Sequence, residues 1–345
     1  MTHDLEAAFA RQSRACNMLG SPFMARLLPL LWRIIAAGDG PVAARILTWK
    51  GDPSASGDAV PLRLAGALHA LVLTRADAGL VAAYPPHVVG EDVLETVVAT
   101  ALQSHAARVL NWLDQPPQTN EVRRSAALLA GAAWVQAKAG LPLVLSELGA
   151  SAGLNLHFDE YYLANGTGRA GSPVTLSPEW SGPVPPAGRI AVEGRAGVDL
   201  NPLDPSDPDQ ALRLLAYLWP DQPHRATLTE AAIATARTRP DKGDAAAWLE
   251  ARLGTPRPGA AHLIYHTVAW QYFPPETTDR CRATLEAAGA RATAAAPVAH
   301  LAMEADSQED GAALTLRYWP SGQHTDLARV DFHGRWIRWL ADWPA

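Results

Sequence analysis

Residues 142–158 read Pro-Leu-Val-Leu-Ser-Glu-Leu-Gly-Ala-Ser-Ala-Gly-Leu-Asn-Leu-His-Phe. A short apolar run, a turn of small residues and a helix-compatible segment follow one another, the order in which an α/β unit begins. Glycines in such a turn let backbone N–H groups approach a ligand, and a helix start behind them favours anionic groups.

Upstream, the pattern is helical. Apolar residues recur with helical spacing in Leu5–Met18, Phe23–Ala37, Leu62–Thr74 and Val93–Leu113. Pro22, Pro41, Pro61, Pro85 and Pro86 lie between these runs as stops. A further helix is expected over Glu121–Ala139, with Asn120 as N-cap, Lys138 in the last turn and Gly140 as a left-handed terminator. No strand is visible in this half.

Downstream, residues 166–195 are rich in Gly, Pro and Ser and read as an insertion. Alternation then resumes. A strand ends at Gly197-Val-Asp-Leu-Asn-Pro202, and helices are expected over Asp209–Leu218, Leu228–Arg237 and Asp244–Leu253. A strand over Ala260–Val268 and a helix over Glu276–Ala288 come next, then strand-like runs at Val298–Glu304, Ala313–Trp319 and Leu327–Phe332. This pattern predicts an α/β fold, a mostly parallel sheet with an antiparallel edge, behind an all-helical N-terminal cap. The domains read as 1–118 for the cap and 119–345 for the α/β part.

Composition narrows the function. Hydrophobic residues make up 48% of the 345 and charged residues 19%, which excludes a disordered chain. Twenty-nine Lys+Arg against 35 Asp+Glu give a net charge of −6 without a basic block, so no nucleic-acid partner is expected. Cys16 and Cys281 form no disulfide framework or CxxC knuckle and suit a reducing compartment. Asp4 and Glu6 precede any apolar run, the reverse of a signal peptide. The most apolar stretches, Leu27–Ala37 and Leu64–Leu73, contain Arg33 and His69 and fall short of the ~20 residues that span a bilayer. A soluble, cytoplasmic protein without a membrane partner is expected.

Two chemistries share the glycine turn. Gly149-x-Ser151-x-Gly153 matches a G-x-S-x-G nucleophile elbow, with Ser151 attacking and Asp244 with His266 or His300 completing a triad on paper. An elbow, however, follows several strands and an HGGG-like segment, whereas the chain here is helical up to residue 139. With 11 histidines, the Ser…Asp…His order carries little weight. Glu147-x-Gly149-x-x-x-Gly153 instead suits the cofactor loop of a doubly wound sheet. That fold places an acid at the end of its second strand, where its carboxylate holds ribose hydroxyls. Asp199 has this setting, delayed beyond the usual spacing of about 20 residues by the insertion. Asp244 opens a helix and reads structurally as an N-cap. The G-x-G-x-x-G of a dinucleotide dehydrogenase is absent. No metal site is expected: His262 and His266 would stand ~13 Å apart on a strand.

Glu147–Gly153, Val198–Pro202, Gly243–Ala245 and His262-Leu-Ile-Tyr-His266 before a helix resemble successive motifs of the class I S-adenosylmethionine-dependent methyltransferases, over about residues 120–333. The strings RAGVDLNPLDP, LWPDQ, HTVAWQYF and HGRWIRW resemble bacterial domain-of-unknown-function family 2332 over most of the chain. The first resemblance implies a Rossmann-like doubly wound sheet of about seven strands that binds S-adenosylmethionine. Gly149 and Gly153 would then line its methionine and ribose, Ser151 would replace the usual central glycine, and Glu147 would lie near the amino group. Asp199 would hold the ribose hydroxyls and Asp244 would meet the adenine. The acceptor, a small and partly apolar molecule between cap and sheet, would lie near His266, Trp270, Gln271 and Tyr272. His266 is the candidate base, with an ordinary pKa of ~6.5, and Tyr272 is the second catalytic candidate. The structural reading of His266 is a strand-end side chain bonded to a carbonyl. A non-catalytic cofactor-binding or scaffold protein of the same fold is the main alternative, and the Ser151 hydrolase a further one.

Overall fold

The computed structural model describes residues 2–308 and 310–344. The chain falls into two compact units, residues up to 119 with 207–227, and 120–206 with 228 onward. The return of 207–227 to the first unit is an excursion that a single break near residue 118 does not include.

The first unit is helical: α1 (Thr2–Met18), α2 (Pro22–Ala36), α3 (Gly40–Leu47), α4 (Val60–Leu73), α5 (Ala78–Ala83), α6 (Glu91–Ser104) and α7 (Ala106–Leu113). Proline in the first turn starts α2, α3 and α4, where its missing N–H costs nothing. The expected Val93–Leu113 helix breaks at His105, whose φ of −112° and ψ of 24° leave the helical region. Nearly every residue of α4 is buried, so it lacks the polar face of a surface helix and forms the centre of this unit. The excursion is tied in by Trp112, whose Nε1 donates to Tyr217 Oη at 3.0 Å, and by Asp221, which accepts from Ser21 Oγ and the Phe23 N–H.

The second unit is a mixed α/β structure. A 3₁₀ turn at Val122–Arg124 leads into α8 (Ser125–Ala139), then β1 (Leu143–Leu148), β2 (Tyr162–Leu163), β3 (Thr175–Leu176), β4 (Glu179–Ser181) and β5 (Val192–Asp199). After α9 (Pro208–Ala216) of the first unit come α10 (Pro223–Thr235), which begins in the first unit and passes into the second at residue 228, β6 (Asp241–Lys242), α11 (Ala245–Arg252), β7 (Ala261–Thr267), α12 (Pro275–Ala290), β8 (Val298–Glu304), β9 (Ala312–Trp319), β10 (Gln323–Val330) and β11 (Trp336–Trp339). Asn120 does not cap α8; Glu121 caps the 3₁₀ turn before it, and the Asn120 side chain is used elsewhere, as described below.

Nine strands form one sheet in the order β4-β11-β10-β9-β8-β7-β1-β5-β6. The stretch β8-β7-β1-β5-β6 is parallel, β9, β10 and β11 continue as an antiparallel meander, and β4 joins the far edge parallel to β11. The expected mostly parallel sheet with an antiparallel edge is present, but with nine strands rather than about seven. The additional two, β4 and β11, are only three and four residues long. The Gly/Pro-rich stretch supplies β4, and its C-terminal four residues already belong to β5. Every residue of β1 and β7 is buried, as in a parallel sheet covered on both faces.

Candidate functional site

The bend after β1 holds three residues with left-handed backbone, Gly149 (φ 69°), Ser151 (φ 53°) and Gly153 (φ 74°). Its N–H groups turn toward β5. Gly149 and Ala150 donate to the Val198 carbonyl, and Ser151 N–H donates to Asp199 Oδ2 at 2.9 Å. The other oxygen of Asp199 accepts from Asn201 N–H, also at 2.9 Å. The carboxylate at the end of β5 therefore clamps the bend at the end of β1.

The polar supports of this bend are buried. Asn120 Oδ1 accepts from Leu154 N–H at 2.9 Å, so it caps the 3₁₀ helix Leu154–Glu160 that follows the bend. His157 reaches Gly153 O through Nδ1, while its Nε2 accepts from Arg237 N–H. The glycines also serve packing. A Cβ on Gly149 would stand 2.6 Å from that of Ala269, and one on Gly153 would meet Pro240 at 3.0 Å.

Glu147, two residues before the bend, is 2% exposed. Its Oε2 is buried with no hydrogen-bond partner among the described residues. Burial, then the nearby Asp199 charge, push its pKa well above the ordinary carboxyl range, against a smaller opposing hydrogen bond from Tyr265. A buried carboxyl oxygen left unpaired costs free energy that a ligand donor would recover.

Glu147, Gly149, Ser151, Gly153 and Asp199 thus lie together, and Asp244 follows directly on Gly243, whose N–H donates to the Asp199 carbonyl at 3.0 Å. Asp244 is the N-cap of α11: Oδ1 accepts from Ala246 and Ala247 N–H, and Oδ2 accepts from Thr277 Oγ1 at 3.0 Å. Those hydrogen bonds, that of Ala247 foremost, hold its pKa below the usual value. Tyr272 stands 57% exposed on the turn Trp270–Tyr272. Nor does the triad assemble, since Asp244, His266 and His300 all direct their hydrogen bonds away from Ser151.

His266 belongs to a second cluster. Its Nδ1 lies 2.6 Å from Glu304 Oε1, its Nε2 lies 3.0 Å from His300 Nε2, and Trp270 stacks on its ring at 4.7 Å. Its partners are a carboxylate and a second imidazole, not the backbone carbonyl of the structural reading. The cluster borders a cavity of about 420 Å³ beneath α12, with Thr315, Arg317 and Trp319 of β9 in its wall. Burial alone would raise the Glu304 pKa, but its hydrogen bonds from His266, Ala269 and Trp270 outweigh this and hold it below normal. Sequence reasoning missed Glu304 and Arg317, although the signal was present. The strand Val298–Glu304 was legible, and a period of two puts His300, Ala302 and Glu304 on one face. His300 pairs with Arg317 across β9.

The His333-Gly-Arg335-Trp336 string acquires a structural account. Asp331 accepts from His333 N–H and from the N–H and guanidinium of Arg335, closing the turn that starts β11. Arg124 bonds the Phe332 and Thr267 carbonyls, tying this turn to the end of β7.

The chain belongs to the family described as "Uncharacterized protein conserved in bacteria" (DUF2332), whose model matches residues 6–339. No curated protein and no solved structure matches it.

Proposed function

We propose that this member of the DUF2332 family binds S-adenosylmethionine at the bend after β1 and transfers its methyl group to a small, partly apolar acceptor. The observation that carries the reading is the buried, unpaired Oε2 of Glu147 beside the bend. The cofactor's ammonium group is a donor of the required kind, and its charge would favour the ionised form of Glu147 that burial disfavours. Two further features support it. In chain order the parallel strands lie 3-2-1-4-5, and ligands of such sheets bind at the carboxyl ends of strands near the point where that order reverses, between β1 and β7. Asp199 is pre-oriented by two backbone N–H groups and keeps lone pairs for ribose hydroxyls.

When bound, the cofactor supplies an electrophilic methyl on a sulfonium. The chain's own contribution is positional: the bend and Asp199 fix the nucleoside, Glu147 fixes the amino-acid end, and alignment of the acceptor lowers the barrier. Asp244, one residue beyond the N–H that bonds the Asp199 carbonyl, caps its helix and would meet the adenine.

A second reading, cofactor binding without turnover, is favoured by one observation: both ring nitrogens of His266, the expected base, are already hydrogen-bonded. Calorimetry with S-adenosylmethionine and its demethylated product tests the first step. Binding of both by the wild type, weakened in Asp199→Asn, is expected; no heat with either from folded protein removes the proposal. Binding without transfer to any of a panel of small acceptors selects the second reading.

A further inference from the structure

The cavity beneath α12 contains a hydrogen-bonded relay, and with both imidazoles neutral its geometry fixes where the protons sit. Glu304 Oε1 accepts N–H groups from Ala269 at 2.9 Å and Trp270 at 3.0 Å, as an ionised carboxylate does. Its third donor is His266 Nδ1 at 2.6 Å, so in the neutral ring His266 Nε2 holds only a lone pair. The 3.0 Å contact between His266 Nε2 and His300 Nε2 then places the proton on His300. His300 is left with Nδ1 as a bare lone pair, and no described residue hydrogen-bonds to it. Both rings line the cavity, but His266 is buried at 2% exposed whereas His300 is only partly buried, so His300 is the ring more open to a ligand.

We propose that this cavity binds a small planar molecule carrying a weakly acidic O–H or N–H, of the phenol or azole class, and that His300 Nδ1 accepts its proton. The ligand's X–H bond breaks and an N–H forms at His300 Nδ1. The Nε2 proton of His300 passes to His266 Nε2, and the positive charge comes to rest on His266 beside the Glu304 carboxylate. The ligand keeps the electron pair as an anion. No oxidant or second reactant is needed.

The walls fit this class. Aromatic and cationic side chains share the wall: the Arg282 guanidinium lies 5.8 Å from the ring centre of Trp270, which stacks on His266, and that of Arg317 lies 4.8 Å from that of Trp319. A volume of about 420 Å³ suits one or two fused rings. The charged and titratable groups around His300 are His266 and Glu304, Arg317 from β9, His324 from β10, and Arg282 and Glu286 from α12, Glu286 being paired with Arg317. Burial, with the Arg317 guanidinium nearby, keeps His300 neutral in the free protein. Passing the proton on to His266 therefore matters: an imidazolium confined to His300 would face Arg317 without a carboxylate partner, whereas one on His266 has a carboxylate at 2.6 Å. His300 is the catalytic residue of this scheme, and His266 and Glu304 are positioning residues. Nothing in the inference requires the cofactor.

The probe is p-nitrophenol, followed by its phenolate absorbance at a pH below its free pKa. Binding to the wild type is expected to raise the phenolate fraction. His300→Gln should bind at least about tenfold more weakly, the loss expected for one hydrogen bond to a charged group. Glu304→Gln should bind the phenol while losing most of the ionisation, which a purely structural role for Glu304 would not produce. Nitrogen-15 NMR of histidine-labelled wild type should show an Nδ1–H tautomer for His266 and an Nε2–H tautomer for His300, independently of how either variant folds. A folded wild type that leaves the p-nitrophenol spectrum unchanged, a His300→Gln variant that ionises it as the wild type does, or the opposite tautomers would each overturn the proposal.

Discussion

Replacing Glu147 by methionine tests the reading of the bend through stability as well as binding. The wild-type side chain is 2% exposed and leaves Oε2 buried without a donor. An unsatisfied buried polar atom costs about 1–3 kcal/mol. Methionine has nearly the same length and no polar atom, and its packing mismatch should cost less than about 1.5 kcal/mol. A net gain of about 1 kcal/mol is expected, and a unit of this size should melt roughly 2–4 °C higher. The pH dependence gives a second check. Because the folded pKa of Glu147 is raised, the folded state binds more protons than the unfolded one once pH exceeds 4.5, so this residue's contribution falls as pH rises. In Glu147→Met that decline should vanish. The assay is urea unfolding across a pH series, with calorimetry for the cofactor, whose binding should be lost. A folded Glu147→Met protein less stable than wild type by more than about 1.5 kcal/mol, the packing allowance, would refute the reasoning, because the carboxyl would then have to be satisfied in the free protein.

Other outcomes follow from the same geometry. Asp199→Asn should weaken calorimetric binding of the demethylated cofactor by about tenfold or more, since charge-assisted hydrogen bonds contribute about 1.5–3 kcal/mol. Asp244→Ala should lower stability in urea by about 1–2 kcal/mol, because it removes a cap that accepts two backbone N–H groups. Burial lowers the His157 pKa from 6.5 to about 4. The unfolded state therefore binds the extra proton between those values, and stability present above 6.5 is lost as pH falls, by up to roughly 3 kcal/mol. In His157→Gln the slope of urea midpoint against pH should flatten across that window.

Much of the fold was legible where local pattern decides it. The run Leu143–Leu148 between Pro142 and Gly149 could only be a short buried strand, and the Val298–Glu304 strand has the bounds expected from its sequence. Pattern failed where tertiary partners decide. Glu179–Ser181 and Trp336–Trp339 are too short to show a period and become strands only by pairing with each other and with β10. Asn120 has the chemistry of an N-cap, and reading it locally assigned it to the wrong helix; its partner, Leu154 N–H, is 34 residues away. In the candidate site, the glycine spacing led to the bend and Asp199 came with it. The lack of a partner for Glu147 Oε2 depends on what β5 and β7 place around it, which one-dimensional spacing does not encode. His266 was noticed for its position after a strand, but its link to Glu304 and His300 needs the register of β7 on β8.

The contact between Glu179–Ser181 and Trp336–Arg338 has a consequence for biosynthesis. Its two halves are separated by roughly 150 residues, so at about 5–20 residues per second the earlier half leaves the ribosome on the order of ten seconds before the later one exists. Until then the nascent chain cannot complete that border, and β10 stays open to other polypeptides as soon as it has formed. Translation stalled before Trp336 should therefore yield a species that recruits chaperones or self-associates, even though its parallel strands are already made.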